Sequence, residues 1–358
     1  MEATGHSPAA DYREAPLVDA LRGHGYREVT VLDSVDSTNT WLAQSIADRG
    51  GRGEGLAAVV TGFQSRGRGR LDRQWVTPPG AAVTFSVACT PVDRTGRAWE
   101  PQLVPWLTLL MAYAVTGAVR DLTGVPAVLK WPNDVLVRER KLCGVLATMV
   151  APAAGTAPTV VVGAGLNVTQ RELPVPTATS LALEADAAPT RPALLTAVLA
   201  RFAETLERAS EDPARQLGPG GPLRRDLEAR VDTLGREVSL QLPGASAPLL
   251  ATATGLGTSG QLVVRARDGR EHEYSAGEVV HVRPAAAGHS ARTPEDTHRT
   301  GAESGPAVPP AAHPSALAAN PSAPATGPLT PPPRVLIHIL RSRRSTRSSM
   351  WRCPAVLT

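Results

Sequence analysis

The chain has 358 residues, enough for two or three domains with a real core. It has no run of 18 apolar residues, so no membrane span is expected. Its start, "MEATGHSPAADYREAP", lacks the basic cluster and apolar block of a secretory signal. The formal charge of +4 suggests a nucleic-acid binder, but its distribution argues against one: residues 285–358 hold 8 Arg and 3 acids, whereas residues 1–284 hold 29 basic and 30 acidic residues, a balance of −1.

The predicted elements begin with a short helix at 16–24, a strand at 28–35, and a helix of about three turns opened by the Ser/Thr/Asn cluster at 37–39 and closed by Gly50 and Gly51. Strands follow at 56–63 and 81–90, flanking the loop "QSRGRGRLDRQW" (64–75), which holds four arginines. The segment 101–124 reads as the most apolar helix, central and buried. Four short strands come next, at 127–131, 134–139, 141–150 and 158–168, and then amphipathic helices at 191–209 and 224–234. Strands and helices in mixed order at hairpin-like spacing predict an α+β fold with a mostly antiparallel sheet. From about Glu237 five short strands separated by Gly-rich or Asp-Gly turns predict a small β-barrel. Residues 285–333 are rich in Pro, Ala, Ser and Thr and are expected to be disordered. The Arg/Ser end beyond them reads as a frame-shifted end or a partner-binding tail.

Chemistry concentrates in a few stretches. Of 37 basic residues 35 are Arg; the only lysines are Lys130 and Lys141. Codon bias explains Arg at the surface, but Arg cannot replace a lysine needed as a compact point charge, which makes both lysines candidates. The Gly-Arg-Gly-Arg unit at 67–70 offers flexible backbone and planar donors suited to an anion, although a surface RG loop has the same composition. Ser37, Thr38 and Asn39 at a strand-to-helix junction suit either a small polar ligand or plain N-capping. Lys130, Asn133 and Asp134 suit an ATP–Mg²⁺ site, or only a turn around Pro132. Gly144, Gly163 and Gly165 leave room beside strands, and Asn167 adds an amide. The three cysteines, Cys89, Cys143 and Cys353, form no disulfide pattern and suggest a reducing cytoplasm.

Taken in order, S-T-N (37–39), Q-x-x-G-R-G-R-x-x-R-x-W (64–75), K-W-P-N-D (130–134), K-x-x-G-x-L (141–146), G-x-G-x-N (163–167) and T-S-L-x-x-E (179–184) resemble the biotin protein ligases over about residues 28–284. The resemblance implies a class II synthetase-like biotin/lipoyl ligase catalytic domain at 28–230, preceded by an N-terminal segment (1–27) and followed by a small SH3-like barrel at 231–284, with 285–358 a tail. It implies a cytoplasmic enzyme that makes biotinyl-5′-AMP from biotin and ATP with Mg²⁺. The biotin then passes to a lysine of a biotin carboxyl carrier domain. Ser37, Thr38, Asn39, Gln64, Arg68, Gly69, Arg70 and Lys141 would hold biotin, with Lys141, Arg68 and Arg70 catalytic. Arg73, Trp75, Lys130, Asn133, Asp134 and Asn167 would serve the nucleotide, and Asp134 the metal. The arginine loop would be a mobile lid.

Two positions depart from the family pattern: Arg66 replaces a small residue, and Thr148 stands where Glu is frequent. Only 36 residues precede Ser37, too few for a winged helix, so neither specific DNA binding nor membrane association is expected. The molecule would be a monomer or homodimer. Rival readings are a lipoate ligase or an octanoyltransferase of the same fold, the latter pairing Lys141 with Cys143 on one strand face. A non-enzymatic RNA-binding protein lacks a stacking platform here.

Overall fold

The computed structural model describes residues 7–51, 55–71, 73–151, 157–242 and 245–281. The expected tail and Cys353 lie outside them. The chain starts with α1 (Glu14–Arg22), β1 (Tyr26–Val35), α2 (Thr38–Asp48) and β2 (Leu56–Gln64). A small hairpin of β3 (Gly67–Arg68) and β4 (Gln74–Trp75) precedes β5 (Ala82–Cys89). Then come α3 (Trp106–Thr123), β6 (Val128–Lys130), β7 (Asp134–Val137), β8 (Arg140–Val150) and β9 (Thr159–Asn167). The helices α4 (Leu181–Glu184), α5 (Arg191–Glu211), α6 (Pro213–Leu217) and α7 (Pro222–Glu228) follow, and β10 (Glu237–Gln241), β11 (Leu249–Leu256), β12 (Leu262–Ala266), β13 (Glu271–Tyr274) and β14 (Glu278–His281) end the described chain.

The seven-stranded sheet runs β1-β2-β5-β9-β8-β7-β6. Only β1 and β2 pair in parallel, because α2 carries the chain across the sheet between them; the other ladders are antiparallel. The fold is α+β, as the element order predicts. β5 and β9 are buried at every position, which explains why they read as continuous apolar runs rather than alternating ones. On one face Leu42 and Ile46 of α2 cover Val59, Ala88 and Val161. On the other, α1, α3 and α5 join the main core.

α3 is apolar over most of its surface because most of it is buried, while its last turn, with Asp121 and Leu122, reaches solvent. Residues 101–123 are long and apolar enough to cross a bilayer, yet 72% of their most apolar window is buried inside the protein. Gly124, at φ 69°, ends the helix and returns its N–H to the Arg120 carbonyl at 2.8 Å. The N-terminal segment is tied down by Arg191, which bonds Asp11 at 2.9 and 2.5 Å and the Pro8 carbonyl at 2.8 Å.

One predicted helix is shorter than its pattern. The expected element at 224–234 stops at Glu228, because the following residues leave the helix to pair with β6: Leu129 N–H donates to the Arg230 carbonyl and Asp232 N–H to the Leu129 carbonyl, both at 2.8 Å. Tertiary pairing overrides local helical preference there.

The second sheet has the order β13-β12-β11-β10-β14. The five strands expected after Glu237 are all present, but the order ends at β13 and β14 and no ladder joins those two among the described residues, so the expected barrel is not closed by hydrogen bonds. Val238, Leu240, Ala253 and Leu262 of this sheet belong to the same core as the larger one. Two tryptophans fasten the join: Trp106 Nε1 donates to the Thr258 carbonyl at 2.8 Å, and Trp131 Nε1 to the Gly260 carbonyl at 2.9 Å. Trp131 N–H also donates to Thr233 Oγ1 at 3.0 Å, which in turn lies 3.2 Å from His281 Nε2.

Burial lowers the His281 imidazole from its ordinary value; Lys130 and Arg236 push the same way, against the pull of Asp232 and Glu139. The fold therefore favours the neutral ring. That stability is present above the unfolded value of about 6.5 and is lost as pH falls through the lower folded value. We expect the melting temperature of the wild-type chain to drop more between pH 7.5 and pH 5 than that of His281→Gln. Equal drops would assign the acid sensitivity to another group.

Candidate active site

One cavity of about 180 Å³ opens where the C-terminal end of β2, the β3–β4 hairpin, the turn before β7, and the middles of β8 and β9 converge. Its wall holds Ser37, Thr38, Asn39, Gln64, Arg68, Gly69, Arg70, Arg73, Trp75, Lys130, Asn133, Asp134 and Lys141. The sequence-predicted residues other than Asn167, from six separate elements and loops, thus meet in one place.

At the polar end, Ser37 caps α2, its Oγ accepting from Thr40 N–H at 3.5 Å. N-capping and a place in the cavity wall are therefore compatible. Gln64 Oε1 accepts from Thr38 N–H at 2.7 Å and Thr38 Oγ1 at 3.0 Å. Asn39 Nδ2 donates to the Leu146 carbonyl at 2.9 Å and lies 3.4 Å from Thr148 Oγ1. Ser86 on β5, wholly buried, donates to Asn39 Oδ1 at 2.6 Å. Gly163 is small because a Cβ there would stand 2.1 Å from Asn39 Oδ1.

The hairpin glycines serve close packing rather than left-handed backbone. A Cβ on Gly67 would stand 2.3 Å from the Trp75 carbonyl oxygen, across the hairpin. Among the described residues of the loop, Leu71 is left-handed, at φ 53°. Arg70 reaches inward and donates to Asn133 Oδ1 at 3.2 Å, while Asn133 Nδ2 donates to the Val145 carbonyl at 2.7 Å. Arg73 is bound by Glu278 of β14. Arg66 is exposed.

At the charged end, Lys141 Nζ lies 2.6 Å from Asp134 Oδ1. Its side chain crosses Gly144, where a Cβ would be 3.1 Å from Nζ. Gly165, the register partner of Gly144, carries the Trp75 indole, whose ring a Cβ would meet at 2.4 Å. Burial lowers Lys130 from the ordinary lysine value, against the pull of Asp134 and Glu278.

Two expectations are corrected. Asn167 does not reach the cavity: its Nδ2 donates to the Thr179 carbonyl at 2.9 Å, and its Oδ1 accepts from Gln170 at 3.1 Å. Nor do Lys141 and Cys143 share a strand face. The β7–β8 ladder pairs Leu136 with Lys141 and Val135 with Cys143, so Leu142 is a bulge residue. The bulge sends Lys141 across Gly144, while Leu142 and Cys143 enter the core. Burial pushes the Cys143 thiol up to about 12, which keeps it un-ionised. Sequence reasoning missed Ser86 and Glu278. A hydroxyl in the middle of the apolar run 82–89 was a usable signal for the first; nothing local marks the second.

The biotin/lipoate A/B protein ligase family model matches residues 31–167. The chain is 37% identical to the biotin–[acetyl-CoA-carboxylase] ligase of Mycobacterium tuberculosis, over 75% of this chain and 96% of that protein. It is 32% identical to the bifunctional ligase/repressor of Escherichia coli, over 40% of this chain and 42% of that one. Among solved structures it resembles the biotin protein ligase of Aquifex aeolicus in complex with biotin and ATP, with TM-score 0.56 and 27% identity, covering 72% of this chain and 100% of that chain.

The packing of Trp75 on Gly165 yields a test. Gly165→Ala should expel the indole, because the backbone of a central strand cannot retreat. Trypsin should then cut at the lid arginines about tenfold faster, equivalent to roughly 1.4 kcal/mol of easier local opening. An unchanged cleavage rate would mean that the hairpin stays docked without this contact.

Proposed function

The chain belongs to the biotin/lipoate A/B protein ligase family, on its biotin protein ligase side, and we propose that it activates biotin with ATP and transfers it to a lysine of a biotin carboxyl carrier domain. The observation that carries this reading is the charge of the cavity wall. Arg68, Arg70, Arg73, Lys130 and Lys141 line it, against two lining carboxylates among the described residues, Asp134 and Glu278. Five cations around a small cavity suit a carboxylate and a phosphate brought together.

In this reading Ser37, Thr38, Asn39 and Gln64 bind the ring end of biotin, since hydroxyls and amides offer both donors and acceptors. Lys141 lies beside the biotin carboxylate and the α-phosphate. A carboxylate oxygen attacks the α-phosphorus, the bond to the bridging oxygen breaks, and pyrophosphate leaves. Lys141, Arg68 and Arg70 stabilise the charge that grows on the transferring group, most effectively where water is excluded. The carrier amine, unprotonated, then attacks the acyl carbon; AMP leaves and the amine gives up a proton. The hairpin carrying Arg68 and Arg70 shields the acyl-adenylate from hydrolysis between the steps.

Lys130, Asn133 and Asp134 serve the nucleotide, with Arg73 and Trp75 closing over it. Mg²⁺ would enter with ATP and neutralise phosphate charge. Asp134 fits as its one protein ligand, its carboxylate being partly exposed to the cavity and already beside Lys141. The near-neutral balance of residues 1–284 supports a ligase activity of this chain without specific duplex binding. The free, buried thiols of Cys89 and Cys143 suit the cytoplasm. Cys143, buried in the core, gives no support to an acyl-cysteine route.

With biotin and Mg·ATP but no carrier, the protein should release pyrophosphate; a requirement for lipoate or an octanoyl carrier would overturn the biotin assignment. Lys141→Arg should slow single-turnover formation of biotinyl-5′-AMP by roughly 10²–10³, or about 2.7–4 kcal/mol. Arg66→Ala and Cys143→Ala should leave it within a few-fold of wild type. A strong loss in Cys143→Ala, with the fold retained, would favour acyl transfer through the thiol.

A further inference from the structure

The T-S-L-x-x-E stretch ends in a buried charge. The Glu184 side chain has no exposed surface; its Oε1 accepts two hydrogen bonds, and its Oε2, without a hydrogen bond, faces a cation. Arg140 donates to Oε1 at 2.5 Å, Thr179 Oγ1 donates to Oε1 at 2.6 Å, and an Arg138 guanidinium nitrogen lies 3.3 Å from Oε2. Both arginines belong to the β7–β8 hairpin, and both reach solvent.

That hairpin is under strain. Its two-residue turn is Arg138–Glu139, at φ 48° and 64°. Such a turn ordinarily calls for Asn or Gly, and long side chains rarely adopt this conformation. Outside charges hold it: Glu184 holds the arginines on either side of Glu139, and Arg236 bonds Glu139 itself at 3.1 Å. Arg140 follows the turn, then Lys141, and then the bulge at Leu142. The backbone of Lys141 is bracketed by the segment that Glu184 anchors: Lys141 N–H donates to the Thr177 carbonyl at 2.7 Å, and Thr179 N–H donates to the Lys141 carbonyl at 2.8 Å. Thr179 thus touches Glu184 with its side chain and Lys141 with its main chain.

We propose that Glu184 is a positioning residue for Lys141. Its carboxylate locks the strained hairpin and the 177–179 segment in the one arrangement that turns the Lys141 ammonium toward Asp134 and the cavity. Without the clamp the turn relaxes, the bulge loses its fixed place, and Lys141 is no longer bound to one face of β8. The catalytic consequence rests on the role of Lys141 given above; the geometric consequence does not.

Two lysines make the geometry directly measurable. In full-length protein, ¹³C-methylated lysine gives one signal for Lys130 and one for Lys141, assigned with Lys130→Arg. In Glu184→Gln, which keeps the size and removes the charge, the Lys141 methyl signal should move toward the position of a solvated lysine as its place over Gly144, beside Asp134 and the Trp75 indole, is lost. The Lys130 signal should move far less. An unmoved Lys141 signal overturns the proposal, whatever the activity. The kinetic arm uses single-turnover formation of biotinyl-5′-AMP. Glu184→Gln should be slowed by about 10²-fold, with biotin affinity within about threefold of wild type, the pattern of a lost transition-state contact. In a Lys141→Arg background the same change should cost little more, since one pathway cannot be broken twice. Multiplying losses would overturn the proposal by making Glu184 independent of Lys141. If Glu184→Gln fails to fold, Thr179→Val removes one donor and keeps the volume. It should move the Lys141 signal in the same direction, and an unmoved signal there overturns the proposal equally. A moved Lys141 signal in a chain that makes no biotinyl-5′-AMP would leave the positioning intact and refute the assigned reaction.

Discussion

Leu142 is one residue too many for the ladder between β7 and β8, and the charged end of the cavity depends on that surplus. In a regular strand Lys141 and Cys143 would share a face. With the bulge, Leu142 and Cys143 both enter the core, and Lys141 lies over Gly144 beside Asp134. The glycines at 144 and 165, paired across β8 and β9, then leave the space in which a lysine and an indole lie side by side. A larger residue at either position would close that space.

The cavity is therefore shaped by backbone and charged by side chains from distant elements. The cations are not free of partners: Arg70 leans on Asn133, Arg73 on Glu278 and Lys141 on Asp134. Each of these contacts ties a cavity cation to another part of the protein. Among the described residues the hairpin arginines lining the cavity outnumber the carboxylates lining it.

The sequence made much of this legible where chemistry and pattern coincide. The strands at 56–63 and 81–90, the apolar helix after 101 and the five late strands were readable from periodicity and turn residues. The lysine scarcity singled out two residues that both line the cavity. What it hid depends on three-dimensional pairing. The helix at 224–234 was cut short by a bridge from Leu129 to Val231. Asn167 was drawn away by Thr179 and Gln170. The face of Cys143 turned on a bulge that no composition announces. The lid glycines looked like a demand for unusual backbone, but they answer a demand for space.

The lid reaches its partner across 205 residues of chain, from Arg73 to Glu278. A ribosome adding about 5–20 residues per second needs roughly 10–40 s to cover that distance. During that time the large sheet can assemble while the strand that receives the lid has not yet been made. A chain cut short before β14 would therefore keep most of its cavity wall and lack the Glu278 carboxylate that Arg73 meets.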